Sequence, residues 1–128
     1  MPAAPVYKIL IFLKRRPGMG VAEFRDYYER NHAVLCSKYM VPGSRYQRRF
    51  IDPLVDPATG QADELAFDVI TELWFDDKAI FDKVVEISET GILPPEVLED
   101  EHKVFDRSKS RFTTVTECET DLGWRKAG

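Results

Sequence analysis

Hydrophobic and polar positions follow two different periods along this chain, which predicts a mixture of strands and helices. The run VYKILIFLK (6–14) is rich in β-branched and aromatic residues and stops at Pro17-Gly18, as a strand followed by a turn does. Comparable runs predict further strands over residues 44–51, 67–75 and 111–119. Several Pro, Asp and Gly residues between 52 and 66 indicate a long loop that separates the second strand from the third.

Helices are predicted between these strands. Apolar residues spaced three and four apart predict a helix over 21–40. Asp76 and Asp77 suit the start of a second helix, which is expected to reach about Ser88 and to be closed by Gly91. Pro94-Pro95 favours the start of a shorter third helix, because proline is tolerated in a first turn. The element order predicts a ferredoxin-like α+β domain, βαββαβ, with an extra short helix before the last strand.

The predicted sheet carries apolar residues on both faces. In the first strand, Ile9 and Ile11 alternate with Leu10 and Phe12, and only Lys8 interrupts the pattern. One layer of helices covers only one face, so we expect the other face to meet a second copy of the chain. The sequence therefore predicts a homodimer.

Composition limits the class of protein. With 128 residues, of which 44% are hydrophobic, the chain fits a single domain over 1–128. The net charge of -4 argues against a nucleic-acid partner, and the apolar run 6–14 is too short for a membrane span or signal peptide. Cys36 and Cys118 have no metal-ligand or disulfide-framework spacing, so we expect no metal and a cytoplasmic location.

His32 is the first candidate for chemistry, because it interrupts an apolar stripe on the first predicted helix. At about 100° per residue, an arc of roughly 80° contains Val21, Phe24, Tyr28, His32, Leu35 and Tyr39. An inward imidazole can act as a general acid or base near neutral pH. The alternative is a structural histidine that fills space and donates to a backbone carbonyl.

Two further candidates for acid–base chemistry lie later in the chain. His102 is followed four residues later by Asp106, which can orient the ring on a helix surface. Asp68 and Glu72 share one side of the third strand, where a carboxylate can orient an imidazole or carry a proton. Alternatively, Asp68 is solvated at the start of the strand and Glu72 pairs with an arginine.

Aromatic and basic residues provide candidate binding groups. Flat side chains with a polar tip suit the walls of a site for an aromatic ligand. The candidates for such walls are Tyr7, Tyr28, Tyr46, Trp74 and Phe105, although each alone is more typical of a core. A substrate carboxylate can be held by an arginine, for which the sequence offers Arg45, Arg48 and Arg49.

Three segments together resemble the EthD family of the dimeric α+β barrel superfamily. They are KRRPGMGVAEFRDYYERNHAVL (14–35), ELWFDD (72–77) and DEHKVFD (100–106), with His32-Ala33 as the central signature. The resemblance implies a dimeric ferredoxin-like barrel with a pocket between helices and sheet. Relatives include cofactor-free lyases of polyketide-derived aromatic compounds, a lactone isomerase and members without known activity.

The resemblance and the inward His32 together predict a cofactor-independent lyase or isomerase. Decarboxylation, dehydration or cyclisation of a small aromatic or polyketide-like substrate would then use His32 for acid–base catalysis. The alternatives are a non-catalytic dimeric protein that binds an aromatic ligand or assists an oxygenase, and a cofactor-free monooxygenase. The loop over 52–66 and the segment after Glu119 are where substrate choice is expected to differ from that of relatives.

Overall fold

Within residues 6–124, which are those that the computed structural model describes, four strands form one antiparallel sheet. The strands are β1 (Tyr7–Leu13), β2 (Arg45–Phe50), β3 (Val69–Phe75) and β4 (Arg111–Thr114). Their spatial order is β2-β3-β1-β4, and every neighbouring pair is antiparallel. The ferredoxin-like α+β architecture predicted from the order of elements is confirmed.

Residues 21–37 form one helical stretch made of three parts. These are α1 (Val21–Tyr27), a π segment (Tyr28–His32) and α2 (Ala33–Ser37). The later helices are α3 (Lys78–Thr90) and α4 (Pro95–Val104). The Asp77 side chain accepts hydrogen bonds from the first turn of α3, and Gly91 ends that helix with a left-handed φ of 70°. In the described part of the chain, no helix has the length and apolar character needed to cross a membrane.

The first helical stretch is shorter than predicted. It ends at Ser37 rather than Met40, because the N–H groups of residues 38–40 donate to carbonyls three residues back and close tight turns instead of continuing the helix. Val21 and Tyr39 are also exposed, at 41% and 47%. The prediction that Val21 points inward is therefore wrong, and Tyr39, which follows the end of the helix, is only partly covered.

Two strand boundaries also differ from the prediction. β3 begins at Val69 rather than Phe67, and β4 ends at Thr114 rather than Glu119. The sequence after Thr114 is VTECE, in which Val115 and Cys118 are the only apolar side chains, so further pairing would bury little apolar surface. The chain keeps one contact with β1 there, a salt bridge of 2.9 Å from Lys8 Nζ to Glu117 Oε2.

The helices pack on one face of the sheet, called here the inner face. Phe24 is fully buried and makes T-shaped contacts with Tyr28, Phe50 and Phe105 at centroid distances of 6.0 to 6.2 Å. Strand alternation places another set of apolar side chains on the opposite, outer face. These outer-face residues are only partly buried in the single chain: Leu10, Phe12, Ile70 and Trp74.

Candidate functional site

A cavity of about 360 Å³ lies between the inner face of the sheet and the helices. Most of its lining is apolar, with contributions from all four strands and from α3 and α4. The polar lining residues are Tyr28, His32, Cys36, Tyr39, Tyr46, Thr71, Ser88 and Glu101. A volume in the range of about 300–1,000 Å³ and a mostly apolar wall with a few polar groups are typical of small-molecule sites.

The π segment positions His32 at this cavity. The N–H of Ala33 donates to the carbonyl of Tyr28, five residues back, so this turn holds one more residue than an α-helical turn. His32 and Ala33 are both buried, each 4% exposed, although they are adjacent in the chain. Because π turns inside α-helices are frequent at functional sites, the segment itself marks His32 as a candidate.

A carboxylate from α4 fixes the orientation of the His32 ring. Asp100 Oδ2 lies 2.8 Å from His32 Nδ1, and Tyr27 donates its hydroxyl to Asp100 Oδ1 at 2.5 Å. An ionised carboxylate only accepts hydrogen bonds, so Nδ1 carries the ring proton. In the neutral ring, Nε2 then has the free lone pair.

Burial keeps this imidazole neutral and basic at Nε2. Desolvation lowers the pKa of His32 below its ordinary value of 6.5, and Asp100 partly offsets that effect. Burial and the bond to Asp100 also raise the pKa of Tyr27 to about 12, so this hydroxyl remains a donor. If Nε2 takes a proton, the Asp100 carboxylate stabilises the imidazolium that forms.

Nε2 faces Cys36, one turn further along the helix. The distance from Nε2 to Cys36 Sγ is 3.4 Å, and burial raises the pKa of the Cys36 thiol to about 11. The sulfur therefore stays protonated and acts as a weak donor rather than as a nucleophile. A weak S–H hydrogen bond leaves Nε2 available to a ligand in the cavity.

Hydroxyl groups form a second polar region on the sheet side of the cavity. The Tyr28 hydroxyl lies 2.5 Å from Thr71 Oγ1 and 3.2 Å from the Tyr46 hydroxyl. Burial raises the pKa of Tyr28 to about 12 and raises that of Tyr46 as well, so both side chains stay neutral. The Tyr28 ring also meets the His32 ring edge-on at 5.4 Å. Ligand oxygen atoms can hydrogen-bond to these hydroxyls beside the imidazole.

Glu101 brings a carboxyl group to the same cavity. Its side chain is buried, and Arg107 donates an N–H to Oε2 from the solvent side. Burial raises the pKa of Glu101, and the charge of Arg107 acts in the opposite direction. Besides its tyrosines and Cys36, the lining therefore holds a neutral imidazole and a carboxyl group.

Of the predicted site residues, the structure gathers His32, Tyr28, Tyr46 and Phe105 around the cavity. The other candidates lie elsewhere. Tyr7 is on the inner face but packs against Phe81 of α3, with ring centroids 5.5 Å apart. Trp74 and Arg45 lie on the outer face, where the guanidinium stacks 4.9 Å from the indole centroid.

Asp68 and Glu72 form ion pairs away from the cavity. Asp68 is buried and accepts from Arg15 Nη1 at 2.5 Å and from the Arg15 backbone at 2.9 Å. Glu72 accepts from Arg49 Nε at 2.6 Å on the outer face. Within residues 6–124, no three His, Cys, Asp or Glu side chains are grouped so that they could hold a metal ion.

The predicted pairing of His102 with Asp106 is not formed. α4 ends at Val104 and Phe105 is extended, so Asp106 does not continue the helix surface on which His102 lies. The Asp106 carboxylate accepts from Ser108 Oγ at 2.6 Å, and His102 is exposed. The helix is rotated relative to the prediction.

Sequence reasoning missed Asp100 and Glu101, although both lie in the DEHKVFD segment. The signal was the spacing of Val97, Glu101 and Val104, which places these three on the buried side of α4. The prediction chose the neighbouring face through His102 instead. A phase error of one residue moves a helix face by about 100°, which was enough to miss both carboxylates.

Comparisons with known proteins agree with this picture of the fold. The sequence model of the EthD domain matches residues 16–108, which include both His32 and Asp100. The crystal structure of an EthD family protein from Bacillus halodurans is similar with a TM-score of 0.50 and 23% sequence identity, covering 88% of this chain and 99% of that chain. A search among curated proteins finds no match. The chain belongs to the EthD family.

Proposed function

We propose that this protein is a cofactor-independent lyase or isomerase in which His32 transfers a proton to or from a small aromatic or polyketide-like substrate. The observation that carries the proposal is the Asp100–His32 pair, with Nδ1 held at 2.8 Å in a side chain that lines an apolar cavity. A base whose tautomer is fixed and whose protonated form is stabilised by a carboxylate suits general acid–base catalysis.

The proposed chemistry begins at a carbon next to a carbonyl group. His32 Nε2 removes a proton, the C–H electron pair forms a C=C bond, and the carbonyl oxygen gains the negative charge. The hydroxyls of Tyr28 and Tyr46 are candidates to donate to that oxygen. Return of the proton to another atom gives isomerisation. In dehydration the C=O bond re-forms, the former C–H electron pair becomes a C=C bond to the neighbouring carbon, and the C–O bond on that carbon breaks. The hydroxyl group leaves with the C–O electron pair and takes the proton from His32, which gives water.

Among the reactions considered, isomerisation, dehydration and cyclisation have more support than decarboxylation. Within residues 6–124, no Lys or Arg lines the cavity to bind a substrate carboxylate. Arg48, a candidate for that task, donates to both oxygens of Glu29 at 2.8 and 2.7 Å. The apolar wall favours a substrate that is neutral over most of its surface.

The proposal includes a homodimer formed through the outer face of the sheet. Leu10, Phe12, Ile70 and Trp74 offer a central apolar strip there, and the Arg49–Glu72 ion pair borders it. A twofold arrangement would place each strip against its copy and remove it from water. A cytoplasmic location stays a prediction from the sequence.

Deuterium exchange at the activated C–H positions of 2-tetralone, a neutral bicyclic ketone, tests the proposal without knowledge of the natural substrate. Proton NMR in D₂O follows the exchange for the wild type, His32→Ala and His32→Gln. We expect both variants to lose about a hundredfold or more of the catalysed rate, as is usual when an acid–base group is removed. The Gln side chain can still donate a hydrogen bond to Asp100, so His32→Gln removes the basic nitrogen while it keeps a contact that stabilises the fold.

His102→Ala is the matched control, because His102 is exposed and does not line the cavity. It should exchange 2-tetralone at the wild-type rate. A folded His32→Ala variant that retains full exchange activity would contradict the mechanism and favour the non-catalytic binding protein. Consumption of oxygen during turnover would instead favour the monooxygenase.

A further inference from the structure

Glu101 is a buried charged side chain that the proton transfer at His32 does not use. Only 5% of the residue is exposed, and α4 turns it to the same side as Val97 and Val104. Buried carboxyl groups are rare unless they are paired. Arg107 provides the pairing, but only to Oε2.

The second oxygen of Glu101 is not held by Arg107. Among residues 6–124, Oε1 has no hydrogen-bond partner, and the only polar side-chain atom that is both unpartnered and fully enclosed is Arg25 Nε. Oε1 therefore keeps some accessible surface, and Glu101 is one of the residues that line the cavity. An ionised carboxylate oxygen can only accept, so it suits a donor group on a ligand.

The rest of the lining contains no compensating positive charge. His32 is neutral because burial lowers its pKa, and within the described residues no Lys or Arg lines the cavity. Arg45 and Arg49 lie on the outer face of the sheet, beside Trp74 and Glu72. A ligand carboxylate would thus lose water and meet the Glu101 carboxylate in a medium of low dielectric constant, while the charge of Arg107 lies beyond that carboxylate and offsets the repulsion only in part.

We propose that Glu101 determines substrate specificity: its carboxylate accepts a hydrogen bond from a phenol or enol hydroxyl of the ligand and repels ligands that carry a carboxylate. The site then takes neutral hydroxylated aromatic molecules. This inference rests on the proposed function in one respect, that the substrate binds in this cavity. The ketone that exchanges at His32 and the hydroxyl that meets Glu101 are parts of one substrate.

Two probes with the same ring system, 2-naphthol and 2-naphthoate, test this inference by titration calorimetry near neutral pH. We expect the wild type to bind 2-naphthol at least about tenfold more tightly, and Glu101→Gln to lower that preference by about tenfold or more, since removal of a repulsive charge relaxes specificity. Glu99→Gln is the control, because its side chain is 75% exposed on the same helix. It should retain the wild-type preference.

Several results would overturn the inference. They are equal or tighter binding of 2-naphthoate by the wild type, an unchanged preference in Glu101→Gln, and binding of neither probe. If Glu101→Gln does not fold, Glu101→Asp replaces it. That variant keeps the charge but shortens the reach, so 2-naphthoate should still be rejected while 2-naphthol binds more weakly. Unaltered 2-naphthol affinity in Glu101→Asp would also count against the inference.

The two proposals fail in different measurements. If the function proposed for His32 is wrong, His32→Ala will exchange 2-tetralone at the wild-type rate. That result does not depend on the preference between naphthol and naphthoate. If the wild type prefers 2-naphthol and Glu101→Gln loses that preference, the role of Glu101 is supported even for a protein that only binds its ligand.

Discussion

Replacement of Asp100 by asparagine tests whether the carboxylate that orients His32 matters for proton transfer. The amide has nearly the same shape, but it is neutral and has an NH2 donor group in place of one of the two acceptor oxygens. Donation of that N–H to Nδ1 would place the ring proton on Nε2, which then has no lone pair. The variant thus changes the tautomer and removes the charge that stabilises an imidazolium.

The size of the effect follows from the bond that is lost. The Nδ1 to Oδ2 distance of 2.8 Å is that of a charge-assisted hydrogen bond. Such bonds to charged groups contribute about 1.5–3 kcal/mol, which corresponds to about 13- to 160-fold in rate at 1.36 kcal/mol per tenfold. A change of tautomer adds to this loss, so we expect Asp100→Asn to exchange 2-tetralone about a hundredfold more slowly.

The assay is the NMR exchange measurement, accompanied by ¹⁵N shifts of the His32 ring that report the tautomer. Asp26→Asn is the control, since Asp26 is exposed on α1 and pairs only with Arg30 among the described residues. Thermal unfolding establishes that each variant is folded. A folded Asp100→Asn protein with the wild-type exchange rate and an unchanged Nδ1–H tautomer would refute the role assigned to Asp100.

Three more predictions concern pH and assembly. Because the pKa of His32 lies below 6.5, the rate of 2-tetralone exchange should be independent of pH down to about 6.5 and decline only at lower pH. An NMR titration of the His32 ring checks the pKa itself. As pH falls, His32 is protonated in the unfolded chain before it is protonated in the folded protein, because its pKa is lower in the folded protein. The free energy of unfolding should therefore fall as pH drops below about 6.5, and His32→Gln should weaken this dependence. Trp74→Glu, which places a charge on the outer face, should convert a dimer to monomers in analytical ultracentrifugation; a wild type that sediments as a monomer at all concentrations would contradict the dimer.

Features that depend on neighbouring residues were predictable from the sequence. α3 begins after Asp77 and ends at Gly91, as predicted, because a side-chain cap and a left-handed glycine act within one turn. The four strands were recognised for the same reason, since alternation and turn residues are local signals. The pattern was weakest in β4, where polar side chains on both faces provide no signal for its end.

The candidate site depended on features that are not local. A helical wheel assumes 100° per residue, so it carries no sign of a π segment over Tyr28–His32. Asp100 lies 68 positions from His32, and no spacing rule joins residues so distant. The arginines of β2 alternate between faces, and the sequence alone left open which of them meets the cavity. His32 itself was found because its burial agrees with the wheel, despite the π turn.

Asp100 and Glu101 show how one helix can give two adjacent carboxyl groups different roles. A rotation of about 100° per residue turns Asp100 to Tyr27 and His32, while Glu101 meets Arg107 and the cavity. Both oxygens of Asp100 accept hydrogen bonds from the protein, whereas Glu101 has one oxygen for a ligand. Different environments around paired carboxyl groups are how acid–base sites divide their functions. Asp100→Asn should therefore slow exchange with no change in the naphthol preference, and Glu101→Gln should alter that preference.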